Sequence, residues 1–236
     1  MAKVKVTYLQ HSGFLVETEH NYLLFDYWKG KLPKLDYEKD LYIFSSHAHG
    51  DHYCKDIFKF ETLCKNVRYI LSFDIREADR AWKKANDVTF MEIHDHVNVG
   101  ACEISTLFST DEGVAFIVKL DGLNLYHAGD LHWWDWPGEP EEENKEMGRL
   151  YREEIEKIKD QQFDIAFVVL DPRQEEAGRY GMDYFLSHVH SRYVFPMHCW
   201  EDYKLIADYK KDNDRKYLTT QIVGIAHKEQ EFELDW

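Results

Sequence analysis

Four side chains able to bind a metal ion, His47, His49, Asp51 and His52, fall within six residues. His47 and His49 stand two apart, so in an extended chain their imidazoles project to the same side. Gly50 then allows a sharp turn that presents Asp51 and His52 from the following loop. Three imidazoles and a carboxylate can surround one metal ion or straddle two, and such donors suit zinc, manganese or iron. A lone histidine would fit an ordinary surface loop, but this quartet does not. Two later segments could complete a binuclear site. Tyr126-His127-Ala128-Gly129-Asp130 follows a strand-like run, and Phe195-Pro196-Met197-His198 ends another.

In their order and spacing these segments resemble the metallo-β-lactamase-fold superfamily. Residues 46–52 resemble its His-x-His-x-Asp-His signature, residues 127–130 its Gly-Asp motif, and Pro196-Met197-His198 its last histidine ligand. The opening Leu9-Gln10-His11-Ser12-Gly13, with residues 23–26, is similar to the L-ascorbate-6-phosphate lactonase-like hydrolases within it. The resemblance implies an α+β fold, a four-layer αββα sandwich with the metals at one edge between the sheets. It implies two divalent metal ions, zinc foremost, with manganese or iron as alternatives. By the same resemblance His47 and His49 hold the first ion, Asp51, His52 and His198 the second, and Asp130 bridges both.

One ligand of that pattern is missing. Where the family supplies a third histidine to the first ion, this chain reads Phe108-Ser109-Thr110-Asp111-Glu112-Gly113. Asp111 is the candidate oxygen ligand in its place, with Ser109 holding a water as the other option. An oxygen-richer first site shifts preference from zinc towards manganese or iron. His94 and His96 precede the strand expected over 102–108 and are misplaced for this role.

The chemistry so implied is hydrolysis of a small anionic ester, lactone or phosphodiester by a water that the metals acidify towards hydroxide. Asp51 is expected to orient that hydroxide and accept its proton. The alternative, motivated by the missing histidine, is a catalytically weak metal-binding or ligand-sensing protein of the same fold. Flavin-linked diiron relatives carry a Glu where this chain has His49, which disfavours redox chemistry.

Other residues carry two readings each. His127 either orients a ligand through a hydrogen bond or is a satisfied structural histidine. His11 either points into the cleft or supports strand packing. His188 and His190 read as structural, and Cys199 reads as a small buried residue before a thiolate ligand. Trp133, Trp134 and Trp136 either wall the substrate cleft or pack against the charged segment 141–159. Arg173, whose guanidinium could fork onto an anionic substrate, more readily serves the structure.

The elements that must position these groups follow from hydrophobic periodicity. Strands are expected over 4–9, 13–17, 22–26, 41–45, 67–71, 88–92, 102–108, 114–120 and 123–127. Helices are expected over 57–65 and 74–84. In 141–159 an apolar stripe of Met147, Leu150, Tyr151, Ile155 and Ile158 marks the buried face of a charged helix. Strands at 164–170 and 193–196, helices near 182–188 and 202–211, and strands at 221–226 and 230–234 complete the reading. This pattern suggests sheets covered by helices, in one domain over residues 1–236.

Composition narrows the partners. With 29 Lys and Arg against 44 Asp and Glu the formal charge is −15, which disfavours extended nucleic acid because phosphate contacts need basic side chains. A small-molecule substrate is expected instead. No apolar run is long enough to span a bilayer, and the opening alternates without the apolar core of a signal peptide. The four cysteines form no Cys-x-x-Cys pair. A cytoplasmic protein with reduced thiols is therefore expected. Oligomeric state is not legible.

Overall fold

Period-2 alternation divides the apolar residues of the early strands between two cores. Tyr42 and Phe44 join one buried cluster while their neighbours Leu41 and Ile43 join another. A strand buried on both faces needs cover on both sides. The computed structural model, which describes residues 3–235, supplies it. Met1 and Ala2, where the amino-terminal reading begins, lie outside the described residues, as does Trp236.

The strands are β1 (Val4–Gln10), β2 (Gly13–Glu17), β3 (Asn21–Phe25), β4 (Asp40–Ser45), β5 (Asn66–Ser72), β6 (Val88–Met91), β7 (His96–Val99), β8 (Cys102–Phe108), β9 (Val114–Leu120), β10 (Leu123–His127), β11 (Gln162–Val169), β12 (His190–Met197), β13 (Gln221–Ile222) and β14 (Gln230–Leu234). They form two seven-stranded sheets, ordered β14-β1-β2-β3-β4-β5-β6 and β13-β12-β11-β10-β9-β8-β7. The inner faces meet through aromatic contacts, including Phe14 with Phe167 at 4.4 Å between ring centroids. Outside the first sheet, Ile57 and Ile75 from short helical segments pack on Leu41, Ile43 and Leu71. The helices α1 (Ile75–Ala78), α2 (Glu141–Glu156), α3 (Tyr180–His188) and α4 (Tyr203–Asn213) follow in chain order, and α2–α4 pack with the second sheet through Tyr151, Ile155, Phe185 and Ile206. The fold is thus the α+β sandwich of helices, sheet, sheet and helices.

Strand direction decides where the site falls. β3, β4, β5 and β6 run parallel, as do β10, β11, β12 and β13. β2 is antiparallel to both β1 and β3, so β1 points the same way as β3. By the same logic through β9, β8 points the same way as β10. The carboxyl ends of β1, β3 and β4 therefore share one edge of the first sheet, and those of β8, β10, β11 and β12 share one edge of the second.

Several expected elements change. The helix over 57–65 is a 3-10 segment, Lys55–Thr62. The helix over 74–84 breaks at Asp79, whose carboxylate accepts the Ala81 N–H at 2.8 Å and so starts a second short turn. The segment 221–226 keeps only two strand residues, and β7, a four-residue strand of alternating polar and valine residues, is an addition to the expected set.

Candidate metal centre

Each candidate residue follows the end of a strand. His11 follows β1, Asp26 follows β3, and Ser46 to His52 follow β4. Asp111 follows β8, Asp130 follows β10, Asp171 follows β11 and His198 follows β12. The turn after His49 is closed by its carbonyl, which accepts the N–H groups of His52 at 3.0 Å and Tyr53 at 2.9 Å. Gly50 is not in the left-handed region and has open space beside it, so its expected conformational role is not what makes this turn. Two other glycines are needed. Gly113, at φ +66°, lies so close to the β4 end that a Cβ would come within 2.0 Å of the Ser46 oxygen. Gly129, at φ +53°, would bring its Cβ to 2.7 Å from that of Ser46.

Asp130 is the hub. Its Oδ1 lies 3.1 Å from His52 Nε2 and 3.4 Å from His198 Nε2, and its Oδ2 lies 3.6 Å from His47 Nε2. Three groups of side chains place one donor atom each within 4.8 Å of one another. They are His11, Asp51, His52 and His198; His47, His52 and Asp130; and His49, Asp111 and Asp130. All seven residues anticipated as ligands therefore come together. Asp111 stands beside His49 and Asp130. His94 instead pairs with Glu154 at 3.0 Å and His96 with Ser105, both away from the cluster.

A second set of groups fixes the rings. Asp26, fully buried, accepts from the Ser46 N–H and hydroxyl and meets His52 Nδ1, each at 2.7 Å. Ser46 Oγ also lies 2.9 Å from His47 Nδ1. Asp171 holds His198 Nδ1 at 2.9 Å and is itself gripped by Arg173, whose Nη2 approaches to 2.5 Å. In each ring the held nitrogen is Nδ1, which leaves Nε2 turned into the cluster. The Nε2 atoms of His11, His47 and His52 are buried without a hydrogen bond, as is Asp130 Oδ1. An unmet buried polar atom is costly. This concentration of them marks a place for a cation.

The electrostatics agree. Burial pushes the imidazoles of His47 and His11 down, to about 3 and about 4, so both are neutral and able to donate a lone pair. Burial opposes charge on Asp130 too, yet His52 and His198 outweigh it and hold the carboxyl well below its usual range. His52 differs: the facing carboxylates of Asp130 and Asp26 overcome burial and raise it well above the usual value, so this ring must give up its Nε2 proton before it can offer a lone pair to a cation.

The remaining residues resolve. His127 is buried, with Nε2 2.9 Å from the Ser12 carbonyl and Nδ1 accepting the Gly129 N–H, so it supports the turn that carries Asp130. Trp133 packs on Gly148 and Arg152 of α2, whereas Trp134 and Trp136 stack at 5.5 Å and border the cleft. Arg173 faces the cleft but is committed to Asp171 and sits over the rings of Trp136 and Trp200. His188 stacks on Tyr184. Burial pushes the Cys199 thiol well up, and it bonds the Met197 carbonyl, so it is no thiolate. Sequence reasoning gave no role to Asp26 or Asp171, although each is a carboxylate ending an apolar strand parallel to one that carries a histidine. His132, buried beside Trp134 with both nitrogens unbonded, carried no sequence signal. The cleft encloses about 310 Å³ between His49, Asp51, Asp111, Trp136, Met147 and Arg173. No helix among the described residues is long and apolar enough to cross a membrane.

Comparison with known proteins adds three findings. The model of the beta-lactamase superfamily domain matches residues 5–135. UPF0173 metal-dependent hydrolases from Thermococcus kodakarensis and Korarchaeum cryptofilum are each 33% identical, over 147 and 141 residues, and in both cases 54% of this chain is covered. The match spans 61% and 60% of those relatives, about three fifths of their length. The solved structure of Igni18, a metallo hydrolase from Ignicoccus hospitalis, superposes with a TM-score of 0.66 at 17% identity, covering 99% of each chain. At that identity the likeness is one of fold.

Proposed function

Because the chain belongs to the beta-lactamase superfamily, whose domain matches more than half of it, we propose that it is a metal-dependent hydrolase acting on a small anionic ester, lactone or phosphodiester. The observation that carries this reading is the convergence on Asp130 of buried imidazole nitrogens left without hydrogen bonds. The hydrolase names of the UPF0173 relatives support the same reaction class.

The donor set fits divalent ions. In this reading His47, His49 and Asp111 hold one, Asp51, His52 and His198 the other, and Asp130 both. When bound, the ions supply Lewis acidity and lower the pKa of water. The chain's own residues do the rest. Asp26, Ser46 and Asp171 lock the ring orientations, so the site is arranged before substrate arrives. Asp51, which lines the cleft, orients the attacking water and takes its proton. Trp134, Trp136 and Met147 give the cleft an apolar wall, and its volume suits a small metabolite. Asp111 in the position of the missing histidine favours an active enzyme over a ligand sensor.

The test is hydrolysis of lactone, ester and phosphodiester panels by protein stripped of metal and then reloaded with zinc or manganese. Turnover that appears on reloading and vanishes on chelation is expected. One firmly bound metal with no turnover on any panel would favour the sensing alternative.

A further inference from the structure

We propose that the two metal positions are chemically split, so that at limiting zinc the chain holds a mixed pair, with zinc in one position and manganese(II) in the other. This rests on the binuclear reading above and adds a ligand to it. The added ligand is His11. Its side chain is 3% exposed, its Nε2 has no hydrogen bond, and that atom lies 3.4 Å from Asp51 Oδ2. Its ring centroid is 4.0 Å from that of His198. The backbone is fixed to point it inward. His11 is left-handed at φ 58°, its N–H donates to Tyr8 Oη at 2.9 Å, and its carbonyl accepts the His198 N–H at 3.2 Å.

With His11 included, one position offers three imidazoles and the carboxylate of Asp51. In the reading above the other holds two imidazoles, His47 and His49, with the carboxylate of Asp111, while Asp130 faces both positions; His49 and Asp111 are exposed to the cleft, where water completes the oxygen donors. Imidazole-rich donors suit zinc, whereas carboxylate and water suit manganese. Zinc binds more tightly than manganese to nitrogen and oxygen donors in general, so the split decides which position zinc fills first. One equivalent of zinc goes to the three imidazoles and leaves the oxygen-rich position to manganese.

The test loads metal-free protein with one equivalent each of zinc and manganese, followed by desalting, elemental analysis and electron paramagnetic resonance. One zinc and one manganese per chain are expected, with the spectrum of isolated manganese(II). Spin-coupled manganese pairs would show random filling and overturn the split. Retention of neither metal would instead overturn the binuclear reading itself. His11→Asn, which tolerates the left-handed backbone, should weaken zinc retention against a chelator by about tenfold or more with manganese unchanged. Unchanged zinc retention in that variant would remove His11 from the ligand set. Asp111→His, at an exposed position, should convert the protein to one that takes two zinc ions and excludes manganese. Continued manganese uptake in that variant would contradict the assignment.

Discussion

The two sheet edges that meet at the centre are built in opposite ways. The first sheet delivers His47, His49, Asp51 and His52 from one loop after one strand, with only His11 and the supporting Asp26 coming from other strand ends. The second delivers Asp111, Asp130, Asp171 and His198 from the ends of four strands, β8, β10, β11 and β12. A local motif has its geometry written into adjacent residues. A dispersed one depends on register across the sheet, such as the pairing of Phe167 with both His127 and Phe195. The first edge supplies most of the imidazoles, and the second supplies the shared carboxylate and the chain of bonds that steadies His198.

Substitutions on either edge can break that division of labour. The largest effect is expected for Asp130→Ala, which removes the one carboxylate facing His47, His52 and His198. Bound metal should fall to near zero and hydrolysis by on the order of 10³-fold or more; two retained metals with full activity would make the hub assignment wrong. Asp26→Ala attacks the local edge from beneath. It leaves the Ser46 N–H and the His52 Nδ1–H buried without their partner, so unfolding free energy should drop by about 3 kcal/mol, as read by denaturant titration.

Gly113→Ala probes the contact between the edges. A Cβ there meets the Ser46 carbonyl in a left-handed backbone, and a loss of more than about 2 kcal/mol is expected. A neutral result would mean that the edges can separate without cost. Arg173→Ala is the mildest. It releases Asp171 from its grip but leaves the Asp171 bond to His198, so metal affinity should weaken by about tenfold at most. If KM rises by far more than metal affinity falls, Arg173 binds substrate directly.

The same contrast explains what was legible beforehand. The apolar runs of β8, β9, β10 and β14 were placed to the residue because alternation and flanking turns mark them. His47 to His52 declared themselves by spacing alone. The segments ending in Asp130 and His198 stood out as strand ends able to complete the site, but their assignment as ligands, and Asp111 altogether, needed the family resemblance, since one carboxylate or imidazole at a strand end is common and means little until strands are aligned. Asp26 and Asp171 escaped because their role is to hold rings through Nδ1, a relation between strands that no local pattern encodes. Gly50 misled for the converse reason. Its type suggested a special backbone, whereas the turn is held by ordinary hydrogen bonds to the His49 carbonyl. Segment 74–84 had helical composition but also carried Asp79, whose side chain competes for the backbone.

The central claim is that both edges together make one binuclear centre. Elemental mass spectrometry of freshly purified protein, before and after incubation with zinc and manganese, tests it most directly. Two metal ions per chain in the wild type, with neither held firmly once Asp130 is replaced by Ala, is the predicted result. One ion or none after incubation, or two that persist in the Asp130→Ala protein, would contradict it.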